Sequence, residues 1–501
     1  MRRPGKTTTT YLVVAAVAAY LGLRTFVFPA TPVLLGGDQA FFWMYAERML
    51  RGERVYLDFF QFTPPGTDLV FLAAFKVLGP RIWVTNAIVV AVGTALGGVC
   101  FRVARHMIDD GLAALATALF TVLVFGQPLG ATHHWFSVLA VMIAIPIVTS
   151  SSNERRFVAA GALLGIASFF TQTHGAAALA AFLTFGVWQA QKQRISLDRS
   201  IRRAALLLGA FAVTLLAASG YFLANAGAAN LWSILFSYAW HRMGASPFTA
   251  GLGLPEAPTG RALRWLAPYL LVYAIVPAGY ALTATSCWQE RPEYHAERQR
   301  TSLLTWLVGV ALLLEVAMGL SWLRLFAVSM PGIILFVSAI GRVGRWRRPL
   351  LGIAWLGVLG LGCALVRSTY RHHALAIDFP GGRAATDGSN RDKLLWIGER
   401  IPAGGLLFAA DRPSVYLPLG LHNPLFLDAA VPSRQTRLVD VERAITELEA
   451  SGLRTILWSP ALEDPKADAD MAAIAALRTY LHDRYRPVHA FADGDAVWER
   501  R

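Results

Sequence analysis

Eleven apolar segments, joined by loops that are alternately rich in and poor in Lys and Arg, leave this chain few ways to fold. A helix that crosses a bilayer needs about 20 mostly apolar residues. The segments run roughly Thr10 to Phe28, Ile82 to Ala104, Leu112 to Phe125, Trp135 to Thr149, Phe157 to Phe170 and Ala176 to Trp188. They continue with Ala204 to Leu223, Ala267 to Cys287, Leu303 to Gly319, Leu323 to Ile340 and Leu350 to Val366. Leu69 to Leu78 is too short to span and is expected at the interface or re-entering. Of the 501 residues, 55% are hydrophobic and only 16% charged, outside the usual range of soluble domains. The fold class expected is a polytopic α-helical membrane protein with about eleven transmembrane helices.

The net charge of +14 does not point to nucleic acid, because the basic residues sit in short clusters between apolar segments. Positive residues stay on the cytoplasmic side. Basic clusters occur at Arg2, Arg3 and Lys6; Arg102 and Arg105; Arg155 and Arg156; Lys192 to Arg203; Arg291 to Arg300; and Arg342 to Arg348. The short turns between them, Gly126 to Ala131, Thr171 to Gly175 and Gly319 to Ser321, have neither Lys nor Arg. This pattern puts the N-terminus in the cytoplasm. It puts the loop 31–68, the loop 226–266 and the C-terminal region outside. The opening MRRPGK and the apolar run after it are read as a retained signal anchor, with no clear cleavage site. Three cysteines, Cys100, Cys287 and Cys363, all lie in or at the ends of apolar segments, which argues against a disulfide framework or a thiolate zinc site.

From about Ser368 the composition becomes that of a soluble domain. A helix Asp392 to Arg400 leads to an apolar run Gly405 to Ala410 that suits a buried strand. A helix Val439 to Ala450, ended by Gly452, leads to a strand Thr455 to Trp458. A helix Met471 to Arg484 leads to a hairpin, Val488 to Phe491 and Ala496 to Trp498, around Asp493-Gly494-Asp495. This alternation implies a small α/β domain over 369–501 after a membrane domain over 1–368. Its sequence contains no phosphate-binding glycine motif and no metal-ligand spacing.

The polar stretch TPVLLGGDQAFFWMYAERMLRGERVYLDFFQFTPPGTD, residues 31–68, is too long for a mere connection. Asp38 follows Gly36-Gly37 and precedes a helical pattern. It is either a helix N-cap or a carboxylate placed to take a proton from a hydroxyl at the membrane surface. Asp58 either faces a site or is solvated, and Glu47 and Arg51 have the spacing of a surface ion pair. Charges in apolar segments are costly and usually functional. Arg24, Glu315 and Arg324 all fall near outer ends, with none at mid-depth. Arg24 suits snorkelling. His133, His134 and His174 fall at the same outer level as the loop. Neighbouring helical positions diverge by about 100°, so His133 and His134 are poorly set to chelate one ion and better suited to lipid phosphate or water. A divalent metal held by these histidines with Asp38 is the lesser alternative, and no cofactor is expected.

Asp38, Tyr56-Leu57-Asp58, Pro64-Pro65-Gly66, Arg324 and Pro331 together resemble the C-type glycosyltransferases of the dolichyl-phosphate-mannose protein mannosyltransferase and aminoarabinose transferase type. In that superfamily the first external loop begins with an acidic residue and runs through Tyr-x-Asp and Pro-Pro-Gly elements. A late span carries an Arg that meets lipid phosphate, as SWLRLFAVSMPG would here. The resemblance implies a GT-C-like enzyme of a bacterial inner membrane. Such an enzyme moves a sugar from a polyprenyl-phosphate donor to a glycan, lipid or protein acceptor. It also implies Asp38 as general base with Asp58 second, and Arg324 on the donor phosphate. The chain departs from many relatives at Gln39 and in the turn holding Gln172 and His174, where a Lys is common; Gln172 or His174 then becomes a substitute phosphate contact. Two alternatives from other classes are a transporter or flippase of lipid-linked saccharides and an inactive scaffold. The first would need mid-depth polar residues or an internal repeat, and the sequence displays neither convincingly.

Overall fold

The computed structural model describes residues 6–27, 30–150, 153–192, 195–238, 260–289, 296–317, 321–431, 436–463 and 472–501. Most of the loop 226–266, the end of the ninth apolar segment and Met471 lie outside them.

Each of the eleven apolar segments is occupied by helix. These helices are Lys6–Thr25, Ile82–Arg105, Asp110–Leu119 with a wider continuation Phe120–Phe125, His133–Thr149, Glu154–Phe170 and Gln172–Lys192. The rest are Leu197–Ala226, Gly260–Gln289, Ala296–Ala317, the pair Trp322–Ala327 and Met330–Ile340, and Arg347–His372. Among the described residues, five helices are long and apolar enough to cross a membrane: Ile82–Arg105, Leu197–Ala226, Leu266–Ala284, Glu297–Ala317 and Gly344–His372. The tenth apolar segment is broken, not continuous. Pro331 has no N–H to give, so Met330–Ile340 starts afresh with Pro331 in its first turn, and the Ser329 hydroxyl donates to the Phe326 carbonyl at 2.8 Å across the break.

The chain divides into two compact units, each assembled from separate stretches. The first comprises Met1–Arg24, Val89–Ala224 and Gly244–Arg367; the second comprises Thr25–Ile88, Asn225–Met243 and Ser368–Arg501. The loop 31–68 thus groups with the C-terminal region.

In the first unit, helices approach closely where side chains are small. A Cβ on Gly279 would lie 2.2 Å from the Gly332 carbonyl oxygen, so Gly260–Gln289 and Met330–Ile340 touch backbone to backbone. A Cβ on Gly175 would lie 2.1 Å from the Ser168 hydroxyl, which fixes how Gln172–Lys192 leaves the preceding helix. Arg24 does not snorkel. It is buried and donates to the Gly126 carbonyl at 3.0 Å, where the wider turn ends and a carbonyl needs a partner.

In the second unit, the loop 31–68 is structured. Thr31–Pro32 pairs with Phe26–Val27, Gln39–Leu50 and Gly66–Leu78 are helices packed on each other, and Leu34 N–H donates to the Ala385 carbonyl at 2.8 Å. The Asn86 amide donates to the carbonyls of Thr25 (2.7 Å) and Val33 (2.9 Å), closing the loop base. The C-terminal region has a four-stranded sheet in the order Phe408–Ala409, Thr455–Trp458, Ala496–Arg500, Tyr485–Ala490. The first pair is parallel and the others antiparallel. Helices Leu438–Ser451 and Ala472–Arg484 cover it through Val441, Ala444, Leu448, Ile474, Leu477 and Leu481. The Gly452 end and the Asp493-Gly494-Asp495 turn form as the sequence pattern implies, with Gly452 at φ 58° and Phe491 N–H on the Asp495 carbonyl at 2.8 Å. The hairpin Leu375–Phe379 and Gly382–Thr386 has no forerunner in that pattern, because its short, mixed sequence gives little alternation.

Candidate functional site

The residues singled out by sequence fall into two groups. Asp38 and Asp58 belong to the second unit; Gln172, His174, His133, His134, Glu315 and Arg324 belong to the first.

Asp38 is exposed and immediately precedes Gln39–Leu50, whose next residues are buried. Gly37, at φ 72°, supplies the left-handed turn that admits it. Asp38 stands at the cap position, yet its backbone is already helical (φ −58°, ψ −28°) and its side chain makes no capping hydrogen bond. The capping role that spacing favours is therefore not what its carboxylate does.

Asp58 is held from one side. Its Oδ2 accepts from the Arg54 backbone N–H at 2.7 Å and from Arg54 Nε at 3.0 Å, and its Oδ1 accepts from Arg54 Nη2 at 3.1 Å. Those bonds hold its carboxyl below the usual range. The turn is further pinned by Tyr56, in the left-handed region at φ 71°, whose hydroxyl donates to the Thr63 carbonyl at 2.8 Å just before Pro64-Pro65-Gly66. Gly66 opens the next helix, and Pro65, just before it, supplies the carbonyl that Leu69 N–H bonds at 3.0 Å.

Glu47 and Arg51 do not make a surface pair. Glu47 is buried, which pushes its carboxyl up to about 7, and Arg51 turns to Glu53 at 3.1 Å and His422 Nδ1 at 2.9 Å. The residue that organises this helix is Arg48, which spacing does not single out. Its Nε donates to Glu53 at 2.7 Å, and its Nη1 to the Leu425 carbonyl at 2.8 Å and to Asp428. Its Nη2 donates to the Asp58 carbonyl at 3.3 Å, and the guanidinium lies 4.9 Å from the Phe59 ring. Asp68 is equally unannounced: it is fully buried and accepts from the Gln61 amide at 3.2 and 3.3 Å. Nothing in one-dimensional spacing pairs residue 48 with 428.

In the first unit the three histidines come together. The rings of His133 and His134 lie 3.9 Å apart between centroids and those of His134 and His174 5.1 Å apart. The divergence of adjacent helical positions fails here because both residues open His133–Thr149, and first-turn side chains lean free of the helix body. His133 Nδ1 lies 2.8 Å from the Thr171 hydroxyl. Gln172–Lys192 begins within the polar turn, so Gln172 and His174 occupy its first turn. His174 is completely buried, with Nε2 3.4 Å from Glu315 Oε2. Among the described residues, neither nitrogen of His174, nor His134 Nδ1, nor Glu315 Oε2 finds a hydrogen-bond partner. Arg324 lies on the short helix Trp322–Ala327, capped by Ser321. Among the described residues no group of three or more His, Cys, Asp or Glu is arranged to hold a metal ion. The chemistry such a cluster offers is hydrogen-bond donation and proton exchange toward an anion.

No family model matches the sequence, and no curated protein matches it. Solved structures do match. ArnT from Cupriavidus metallidurans bound to undecaprenyl phosphate is 14% identical with a TM-score of 0.64, over 99% of this chain and 98% of that one. The archaeal oligosaccharyltransferase AglB from Archaeoglobus fulgidus, in complex with an inhibitory peptide and a dolichol-phosphate, is 11% identical with a TM-score of 0.53, over 99% of this chain and 74% of that one. The Archaeoglobus fulgidus oligosaccharyltransferase in complex with zinc and sulfate is 12% identical with a TM-score of 0.54, over 98% of this chain and 73% of that one. The chain shares the fold of these structures over nearly its whole length.

Proposed function

We propose that this protein is a membrane glycosyltransferase that moves a sugar from a polyprenyl-phosphate donor to an acceptor hydroxyl on the outer face of a bacterial inner membrane. The observation that carries the reading is end-to-end fold similarity with ArnT, itself bound to undecaprenyl phosphate. The anionic-ligand chemistry of the histidine cluster supports it independently. In this reading eleven spans leave the N-terminus cytoplasmic and the loop 31–68 and residues 369–501 outside.

Transfer breaks the bond between the anomeric carbon and the donor phosphate oxygen and forms one to the acceptor oxygen. Asp38 takes the acceptor proton; its exposed place at the head of Gln39–Leu50 suits that task. Arg324 neutralises the phosphate that leaves, with Gln172 and His174 as hydrogen-bond donors. Asp58, already clamped by Arg54, is the second choice as base.

The test is transfer of labelled sugar from a polyprenyl-phosphate donor in vesicles holding the full chain. Asp38→Asn should lower transfer by about 10²–10⁴-fold with helical content intact. Full transfer by a folded Asp38→Asn protein removes Asp38 as the base, and no transfer by the native chain with any such donor removes the reading.

A further inference from the structure

As a donor to phosphate, His174 uses one nitrogen, which leaves its second nitrogen and Glu315 without a task. A neutral imidazole carries one donor and one acceptor, and an imidazolium carries two donors. Here His174 Nδ1 and His134 Nδ1 are buried with no hydrogen-bond partner among the described residues, while His174 Nε2 has Glu315 Oε2 as its near neighbour. A satisfied core histidine would not look like this. The Glu315 side chain, 22% exposed, approaches the buried ring to 3.4 Å.

We infer that His174, oriented by Glu315, is the acid that protonates the departing polyprenyl phosphate, an inference that rests on the glycosyltransferase reading. A carboxylate facing Nε2 holds a proton on that nitrogen, so the second proton of the imidazolium sits on Nδ1 as the donor, the logic by which carboxylates orient catalytic imidazoles. The groups facing His174 are His133 and His134 from His133–Thr149, Glu315 from Ala296–Ala317 and Arg324 from Trp322–Ala327. The adjoining end of Glu154–Phe170 carries no titratable side chain. An anion arriving beside these imidazoles favours an added proton, and an added proton favours the anion. Protonation and phosphate binding are thereby linked.

The step balances. As the anomeric C–O bond breaks, its electron pair goes to the phosphate oxygen, which would turn the singly charged diester into a doubly charged monoester. Nδ1–H of the imidazolium gives that oxygen its proton, and the neutral ring takes up its next proton from water as the next donor phosphate binds. The acceptor proton has meanwhile gone to Asp38. His174 is then a catalytic residue and Glu315 a positioning residue.

The experiment uses the full chain in nanodiscs with undecaprenyl phosphate as probe, reading the ³¹P titration of the bound phosphate and the protons taken up on binding. Wild-type protein should take up about one proton per phosphate at pH 7. Glu315→Gln and His174→Asn should abolish most of that uptake and shift the bound phosphate's titration midpoint by about one unit or more. Glu315→Gln, the milder change, serves if His174→Asn does not fold. Bound phosphate that titrates within about 0.3 unit of wild type in folded Glu315→Gln protein overturns the inference while leaving the glycosyltransferase reading standing. No binding of undecaprenyl phosphate to wild type, or binding indifferent to Arg324→Ala, counts against the reading itself.

Discussion

The surroundings of Arg48 and of His174 are both buried and polar, and they are built on opposite plans. All three guanidinium nitrogens of Arg48 are used, on Glu53, Asp428 and the carbonyls of Leu425 and Asp58. Around His174, among the described residues, four polar atoms are left with no hydrogen bond. A bonded polar interior holds a chain in one arrangement, because breaking any link strands a charge or a dipole away from water. An unbonded one is costly by itself and makes sense as a receptor for something the chain does not contain. Substitutions in the first should therefore damage stability, and substitutions in the second should damage binding.

The largest effect is expected at Arg48. Arg48→Met strands the Asp428 carboxylate and should cost about 3–5 kcal/mol of stability, measured by denaturant or thermal unfolding in detergent. The double variant Arg48→Met, Asp428→Leu should recover most of it. A double variant as unstable as the single one would mean that the pair's role is not electrostatic.

A smaller effect concerns Glu47 on the same helix. Its carboxyl sits at about 7 in the fold because burial penalises the charge. The folded state therefore binds the proton more tightly than the unfolded chain does. Stability should fall as pH rises from about 4.5 to 7 and level off above that. Glu47→Gln should remove this slope, gaining about 1–3 kcal/mol at pH 8 and nothing at pH 4. An unchanged slope in the variant would assign the pH dependence to other groups.

The smallest stability change belongs to the other interior. His134→Phe discards a nitrogen with no hydrogen bond among the described residues for a ring of similar shape, so unfolding should move by no more than about 1 kcal/mol. Affinity for undecaprenyl phosphate should nevertheless drop about fivefold, the worth of one hydrogen bond. A large loss of stability with no loss of affinity would reverse the contrast between the two interiors.

These contrasts also mark what the sequence discloses. Helices announced by length and apolarity appear where expected, and so does Thr455–Trp458, bounded by the Gly452 stop. Spacing misjudges partners. At Asp38 the order of residues favours a cap and the backbone geometry denies it. At Glu47 and Arg51 an i,i+4 interval suggests a pair, yet burial takes Glu47 inward while Glu53 and His422 take Arg51. The histidine cluster is legible as a set of residues at one level, and its ring-to-ring geometry is not, because helix periodicity says little about first-turn side chains. The Glu315 contact with His174 joins positions far apart by number, and only packing brings them together.

Helices Leu197–Ala226 and Gly344–His372 each carry a long apolar window, yet only 11% of that window is covered by the rest of the chain. Faces that touch no specific neighbour ask of evolution only that they remain greasy, so Leu, Val, Ala and Ile can replace one another there with little consequence. Two chains can then share the course of a backbone over 99% of one of them while agreeing at 14% of positions. For a chain of this kind, shape is more durably stored in the path of the helices than in the letters that build them.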